Sequence, residues 1–94
     1  MEVGWLERAL SDLDKIQDYI EADNPAAAQA ICRRIDTKVR LLGEQPSLGR
    51  AGRVPGTREL VISGTPYIAA YKVIDERVVV VAVLHGARQW PRSF

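Results

Sequence analysis

The side chains best placed to do chemistry crowd the end of the sequence, in "LHGARQWPRSF" (84–94). His85 is the only histidine, and an imidazole titrates near neutral pH, so it could serve as a general base. A lone histidine just past a strand more often caps or packs, and no partner for a catalytic set stands at a telling spacing. The basic half holds no paired carboxylates, and nowhere is there a nucleophile elbow or a metal-ligand cluster, so no catalytic residue and no metal site is assigned. Arg88 and Trp90 offer something different, a guanidinium and an aromatic face, the residue types that most often anchor protein interfaces or stack on bases. The alternative for Trp90 is that it folds back on the sheet and pins the tail. Arg50 and Arg53 precede it in a Gly/Pro loop, and Arg58 opens the strand that follows. In that loop "GRAG" (49–52) has the spacing of some phosphate-cradling loops but lacks the Lys-Ser/Thr of a Walker loop, and it reads as structural.

Charge is unevenly spread behind a formal net charge of +1: residues 1–44 carry six basic and nine acidic groups, residues 45–94 seven basic and three acidic ones. The second half therefore suits an acidic partner without specifying nucleic acid. With 94 residues, 47% hydrophobic and 27% charged, the chain is expected to form one soluble domain, residues 1–94, too small for a deep catalytic cavity. No apolar run reaches membrane-span length and the start lacks the features of a signal peptide, so a cytoplasmic location and no membrane partner are expected. Cys32 has no second cysteine to pair with.

These residues must be positioned by a small set of elements. Residues 2–5 form a short apolar start. In "LERALSDLDKIQDYIEAD" Leu6, Leu10, Leu13, Ile16 and Ile20 recur at helical spacing, with Glu7, Asp12, Asp14, Asp18 and Glu21 forming an acidic outer face. Asn24-Pro25 restarts a second helix to about Leu42, with Ala28, Ile31, Ile35, Val39 and Leu42 buried and Arg33, Arg34, Lys38 and Arg40 outward or flanking. The helices make an antiparallel hairpin whose opposite charges are expected to pair. "QPSLGRAGRVPG" (45–56) reads as a loop. "TRELVI", "YIAAYKVI" and "RVVVVAVL" then make a three-stranded antiparallel meander. The last run is apolar on both faces, Val78, Val80, Ala82 and Leu84 on one, Val79, Val81 and Val83 on the other. One hairpin covers only one face, so the other needs the loop and tail, a second copy or another protein's helix, and a protein partner is the expectation.

The order of elements, with "GRVPGTREL", "PYIAAYKV", the valine run and "LHGARQWP", resembles the RelE/ParE superfamily of bacterial type II toxins over essentially the whole chain. The resemblance implies an α+β fold: an N-terminal strand, the helical hairpin, then the meander. RelE-like members are messenger-RNA endonucleases that act in the ribosomal A site with strand cations and an arginine and tyrosine after the last strand. Here Glu59 and Val61 fall on the two second-strand lysines and Ile68 on the third-strand arginine. Only Arg88 matches, and the tail has no tyrosine. The resemblance therefore implies the ParE-like, plasmid-stabilisation branch: a non-enzymatic, cofactor-free toxin that binds DNA gyrase. Its neutraliser would be a ParD-like antitoxin with a ribbon-helix-helix domain, through which alone operator DNA is contacted. A ribosome-dependent endonuclease using Arg88 and His85 is the alternative. Target contacts are expected at His85, Arg88, Gln89 and Trp90, supported by Arg50, Arg53 and Arg58. Antitoxin contacts are expected at Leu13, Ile20, Ile31, Ile35, Val79, Val81 and Val83.

Overall fold

The apolar periods of the chain become elements close to where the spacing places them. The computed structural model describes residues 1–94 and contains β1 (Glu2–Trp5), α1 (Glu7–Glu21), α2 (Pro25–Arg40), a 3-10 turn (Leu41–Gly43), β2 (Arg50–Ala51), β3 (Arg58–Val61), β4 (Tyr67–Ile74) and β5 (Arg77–His85). This is an α+β fold, with the helical hairpin packed on one face of a five-stranded sheet of order β1-β5-β4-β3-β2. The meander β3-β4-β5 is antiparallel throughout, and β1 lies parallel to β5, with Glu2 opposite Arg77 and Trp5 opposite Val80. No helix is long and apolar enough to cross a membrane.

Local chemistry sets the hairpin. Asn24 is extended and its Oδ1 accepts the Ala27 N–H at 3.1 Å, satisfying one free donor of α2, while Pro25 occupies the first helical position. Ala28, Ile35, Val39 and Leu42 are buried as their spacing predicts. The stripe of α1 is different at its start: Leu13, Ile16 and Ile20 pack on the core, but Leu6 and Leu10 stay 47% exposed and Ala9 is the buried residue. Leu6 N–H donates to the Val80 carbonyl at 2.9 Å, so α1 begins hard against the sheet and only a small side chain fits beneath its first turns. The expected ion pairing across the hairpin is also absent. The helical pairs lie within single helices, Arg8 with Asp12 and Arg40 with Asp36, each four residues apart.

The segment 45–56 is more ordered than a loop reading allows. Arg50 and Ala51 form the edge strand β2, paired with Glu59 and Arg58, a ladder too short to show a period. The buried Tyr71 fastens what precedes it: its hydroxyl donates to Pro46 O at 2.7 Å and accepts the Gly49 N–H at 2.8 Å. A Cβ on Gly49 would come within 2.6 Å of that ring, so the first glycine of "GRAG" is required by close packing, in line with the structural reading. At the opposite end, the β4–β5 turn puts Asp75 and Glu76 at φ 48° and 60°, the left-handed region that a two-residue hairpin needs.

A bulge redistributes β5. Ala70 pairs with Ala82 and Tyr71 with Val80, leaving Val81 unpaired and reversing the alternation beyond it. Val78, Val80 and Val83 therefore join the core beneath the helices, with Leu60, Ile62, Tyr67, Ala69 and Tyr71. Val79, Val81, Ala82 and Leu84 belong to the outer face. This corrects the strict two-face division read from the sequence, in which Val83 sat with Val79 and Val81.

Candidate functional site

The end of β5 divides the expected target-binding residues between two faces of the sheet. His85 stands opposite Tyr67, and Gly86 N–H donates to Pro66 O at 2.7 Å and Arg88 N–H to His85 O at 3.1 Å, so the chain reverses at once. Trp90 then folds back, its indole N–H donating to the His85 carbonyl at 3.2 Å. His85, Arg88 and Gln89 face the helix side of the turn, while Trp90 lies over the outer face.

On the outer face the tail supplies the missing cover. Trp90 and Phe94 pack with Val79 and Leu84 around the buried Ala70, Val81 and Ala82. The expectation that a protein partner covers this centre is corrected: the chain's own tail does, because the reversal at His85–Arg88 brings two aromatic rings back over the strand. The tail is held from both ends of the fold. The Arg53 guanidinium lies 3.8 Å from the Trp90 ring centroid and Arg8 lies 4.9 Å from that of Phe94.

Arg53 is in turn fixed by Glu59, whose side chain is only 2% exposed. Five hydrogen bonds converge on this carboxylate: Arg53 Nε and backbone N–H to Oε2 at 3.0 and 2.7 Å, Arg53 Nη2 to Oε1 at 3.1 Å, and Arg50 Nε and Nη2 to Oε1 at 3.3 and 3.0 Å. Burial pushes the Glu59 carboxyl up, but the bonds from Arg53 and Arg50 outweigh it and hold the group below its ordinary range. Arg50 and Arg53 thus share one negative charge between two guanidiniums and are tethered by it, and Arg58 Nη1 donates to the Gly49 carbonyl at 2.8 Å. All three are therefore held in place by these bonds. In the sequence Glu59 stands only where the resemblance expects a lysine; the β2–β3 ladder is what brings it to Arg50, nine residues before it, and to Arg53, six before it.

On the helix side lies a cavity of about 490 Å³ between α1 and the joined ends of β4 and β5. His85, Arg88 and Gln89 line it together with Asp12, Lys15 and Tyr19 of α1 and Tyr67 of β4. Asp12 is not on a solvated face as its helical position suggested. β1 is paired with β5 only as far as Val80, so the strand edge beyond it is open, and Asp12 Oδ2 accepts the Val83 N–H there at 3.0 Å. His85 Nδ1 accepts the Ala87 N–H at 3.1 Å, which places the proton of the neutral ring on Nε2. Tyr67 meets that imidazole edge to face at 5.8 Å, and burial raises its phenol, with Tyr19 adding and Arg88 opposing. Sequence reasoning missed the α1 residues and Tyr67, because only the register and the helix packing bring them to His85.

Of the expected antitoxin contacts, Ile35 and Val83 are core residues and Val81 lies under the tail, so these three present no surface in this fold. Leu13, Ile20, Ile31 and Val79 are half-buried. Burial and then Asp14 push the Cys32 thiol up, away from the thiolate that would be reactive. No three of the His, Cys, Asp or Glu side chains converge in a way that could hold a metal ion.

Comparison with known proteins fits this geometry. The family described as ParE toxin of type II toxin-antitoxin system, parDE, matches residues 3–90. Protein Y4kP of Sinorhizobium fredii, a toxin by its name, is 46% identical over 90 residues, covering 96% of this chain and 93% of its own. Toxin RelE2 of Caulobacter vibrioides is 41% identical over 87 residues, 93% of this chain and 97% of its own. Among solved structures, a chain of the chromosomal ParDE system of Pseudomonas aeruginosa superposes with a TM-score of 0.84 at 26% identity, covering 90% of this chain and 95% of that one. A chain of the intact Escherichia coli RelBE toxin–antitoxin complex gives 0.66 at 20% identity, over 93% of this chain and 98% of that one, a likeness of fold alone.

Proposed function

Because the chain belongs to the ParE toxin family of type II toxin–antitoxin systems, we propose that it arrests growth by binding DNA gyrase, without being an enzyme, and is neutralised by a ParD-like antitoxin. The observation that carries this reading is the outer face of the sheet. The resemblance puts nuclease cations at Glu59, Val61 and Ile68. Glu59 is here a buried carboxylate that tethers two arginines, Val61 is an exposed apolar side chain, Ile68 is buried, and the neighbouring strand centre is roofed by Trp90 and Phe94. Phosphoryl chemistry needs positive charge on the scissile phosphate, and each lost stabilising group costs roughly 100- to 1000-fold in rate. A face built this way is suited to holding a tail in place.

The tail is the proposed docking element, with Arg88 and Gln89 as polar contacts, the outer ring of Trp90 as the aromatic anchor and His85 fixing the turn that carries them. Arg50, Arg53 and Arg58 act in support, as scaffold for Trp90 more than as direct contacts. Of the antitoxin surface, Leu13, Ile20, Ile31 and Val79 remain in the proposal. The antitoxin is of the ribbon-helix-helix type and alone carries operator binding, and the site of action is the cytoplasm.

Induction without antitoxin tests the reading. Gyrase poisoning should give double-strand DNA breaks and filamentous cells while translation continues and messages stay intact. Cleaved messages with halted translation would replace it with the ribonuclease reading, and unchanged supercoiling by purified gyrase in the presence of the chain would remove it. Arg88→Ala with Trp90→Ala should abolish growth inhibition; full inhibition by that variant would overturn the assignment of the tail.

A further inference from the structure

The cavity beside His85 is not needed for the outer-face argument, and its polar groups are largely unspent. Tyr67 is 7% exposed, yet none of the side-chain hydrogen bonds involves its hydroxyl. No buried polar side-chain atom lacks a partner, so that hydroxyl must open onto the cavity it lines. Lys15 and Arg88 take part in none of the ion pairs, and the His85 Nε2–H has no protein acceptor. The cavity's one carboxylate, Asp12, accepts the Val83 N–H and pairs with Arg8 through a single oxygen, Oδ2. What remains facing the space is mainly a set of donors, among them the Lys15 ammonium and the Arg88 guanidinium, beside the Gln89 amide, on walls that include Ile16, Leu84 and the exposed ring of Tyr19.

Donors outnumber acceptors here, which favours an anion, and two cationic side chains with a phenol and an imidazole suit a doubly charged phosphate better than a single carboxylate. Arg can grip two oxygens at once, and an exposed tyrosine ring gives a planar group something to stack on. The volume lies within the roughly 300–1,000 Å³ of ordinary small-molecule sites. We propose that this cavity is a binding site for a nucleoside monophosphate, its phosphate held by Arg88, Lys15, Tyr67 and His85 and its base against Tyr19. The site is on the helix side of the sheet, away from Glu59, Val61 and Ile68, and shares only Arg88 with the matched nuclease positions; no bond is made or broken in it. The inference does not rest on the gyrase reading, since a chain that binds no nucleotide could still dock through its tail.

The test is an NMR titration of the purified full-length chain with adenosine and uridine monophosphates, with inorganic phosphate and the unphosphorylated nucleosides as separate arms. Shifts should map to Tyr67, His85, Arg88 and the Lys15–Tyr19 turn, saturating at a Kd of about 1 mM or below. Arg88→Gln should weaken binding at least about tenfold and Tyr67→Phe several-fold, the loss expected of hydrogen bonds to a charged group. Tyr67→Phe removes no protein hydrogen bond, so its fold is preserved, and Arg33→Gln on the outer helix surface should bind as the parent does. Inorganic phosphate alone binding as tightly as the nucleotide would overturn the proposal in favour of a plain anion site. So would unaltered binding by Arg88→Gln, shifts centred on Arg53 and Trp90, or no shifts at all, each of which leaves the gyrase assay untouched.

Discussion

Replacing Glu59 by glutamine should loosen the tail by removing a charge that never touches it. The amide keeps the shape and one acceptor, but its NH₂ must face N–H donors of Arg53 or Arg50 where five bonds now converge. Breaking a wholly buried ion pair costs about 3–5 kcal/mol, and a pair whose partners can return to water costs less. The Arg50 and Arg53 side chains are 57% and 40% exposed, so the loss is about 2–3 kcal/mol, part of it the roughly 0.5–1 kcal/mol of the Arg53–Trp90 contact. For a domain of this size that is a fall in Tm of about 10–20 °C. The pH dependence has a definite sign. The folded Glu59 carboxyl lies below its ordinary 4.5, so its contribution is fully present above that value and is lost as pH falls through the lower folded one. The gap between parent and Glu59→Gln should thus be widest at neutral pH and close in acid. Thermal unfolding followed by circular dichroism measures the stability, and the Trp90 indole N–H resonance reports the tail, which should move toward its solvent-exposed position in the variant. A double-mutant cycle with Trp90→Ala should show coupling of at least about 0.5 kcal/mol, because Arg53 joins the two sites. A stability loss under about 0.5 kcal/mol, or an unmoved indole resonance, would refute the reasoning that Glu59 anchors the tail through Arg53.

Tyr71→Phe leaves both the Pro46 carbonyl and the Gly49 N–H without their buried partner and should cost about 2–4 kcal/mol by urea denaturation. Asp12→Ala strands the Val83 N–H at the open edge of β5 and should cost about 1–3 kcal/mol, whereas Asp12→Asn keeps an acceptor and should recover most of it; equal losses would show that the bond to Val83 is unimportant. Glu76→Gly relieves a side chain held at φ 60° and should raise stability by about 0.5–1 kcal/mol in the same assay, with the fold unchanged.

By itself the sequence determined the elements and their class. Apolar spacing placed both helices and the three strands of the meander, Asn24-Pro25 placed the break between the helices, and the valine run announced that β5 is covered on both faces. These signals are local, because a period of 3.6 or 2 and a capping residue act within a few positions of the chain. What covers β5 was not local. The bulge at Val81 exchanges the faces of the last residues of the strand, and the turn at His85–Arg88 returns Trp90 to a surface for which the sequence left the tail, a second copy and a partner protein all open. The site followed the same rule. The sequence singled out His85, Arg88 and Trp90 by residue type, but only the tertiary structure decided that they part to opposite sides of the sheet. It alone decided that Glu59 pairs with both Arg50 and Arg53, and that Tyr67, Lys15 and Tyr19 gather around His85. Such pairings depend on register and on where a helix crosses a sheet, and both are set by packing among residues far apart in the chain.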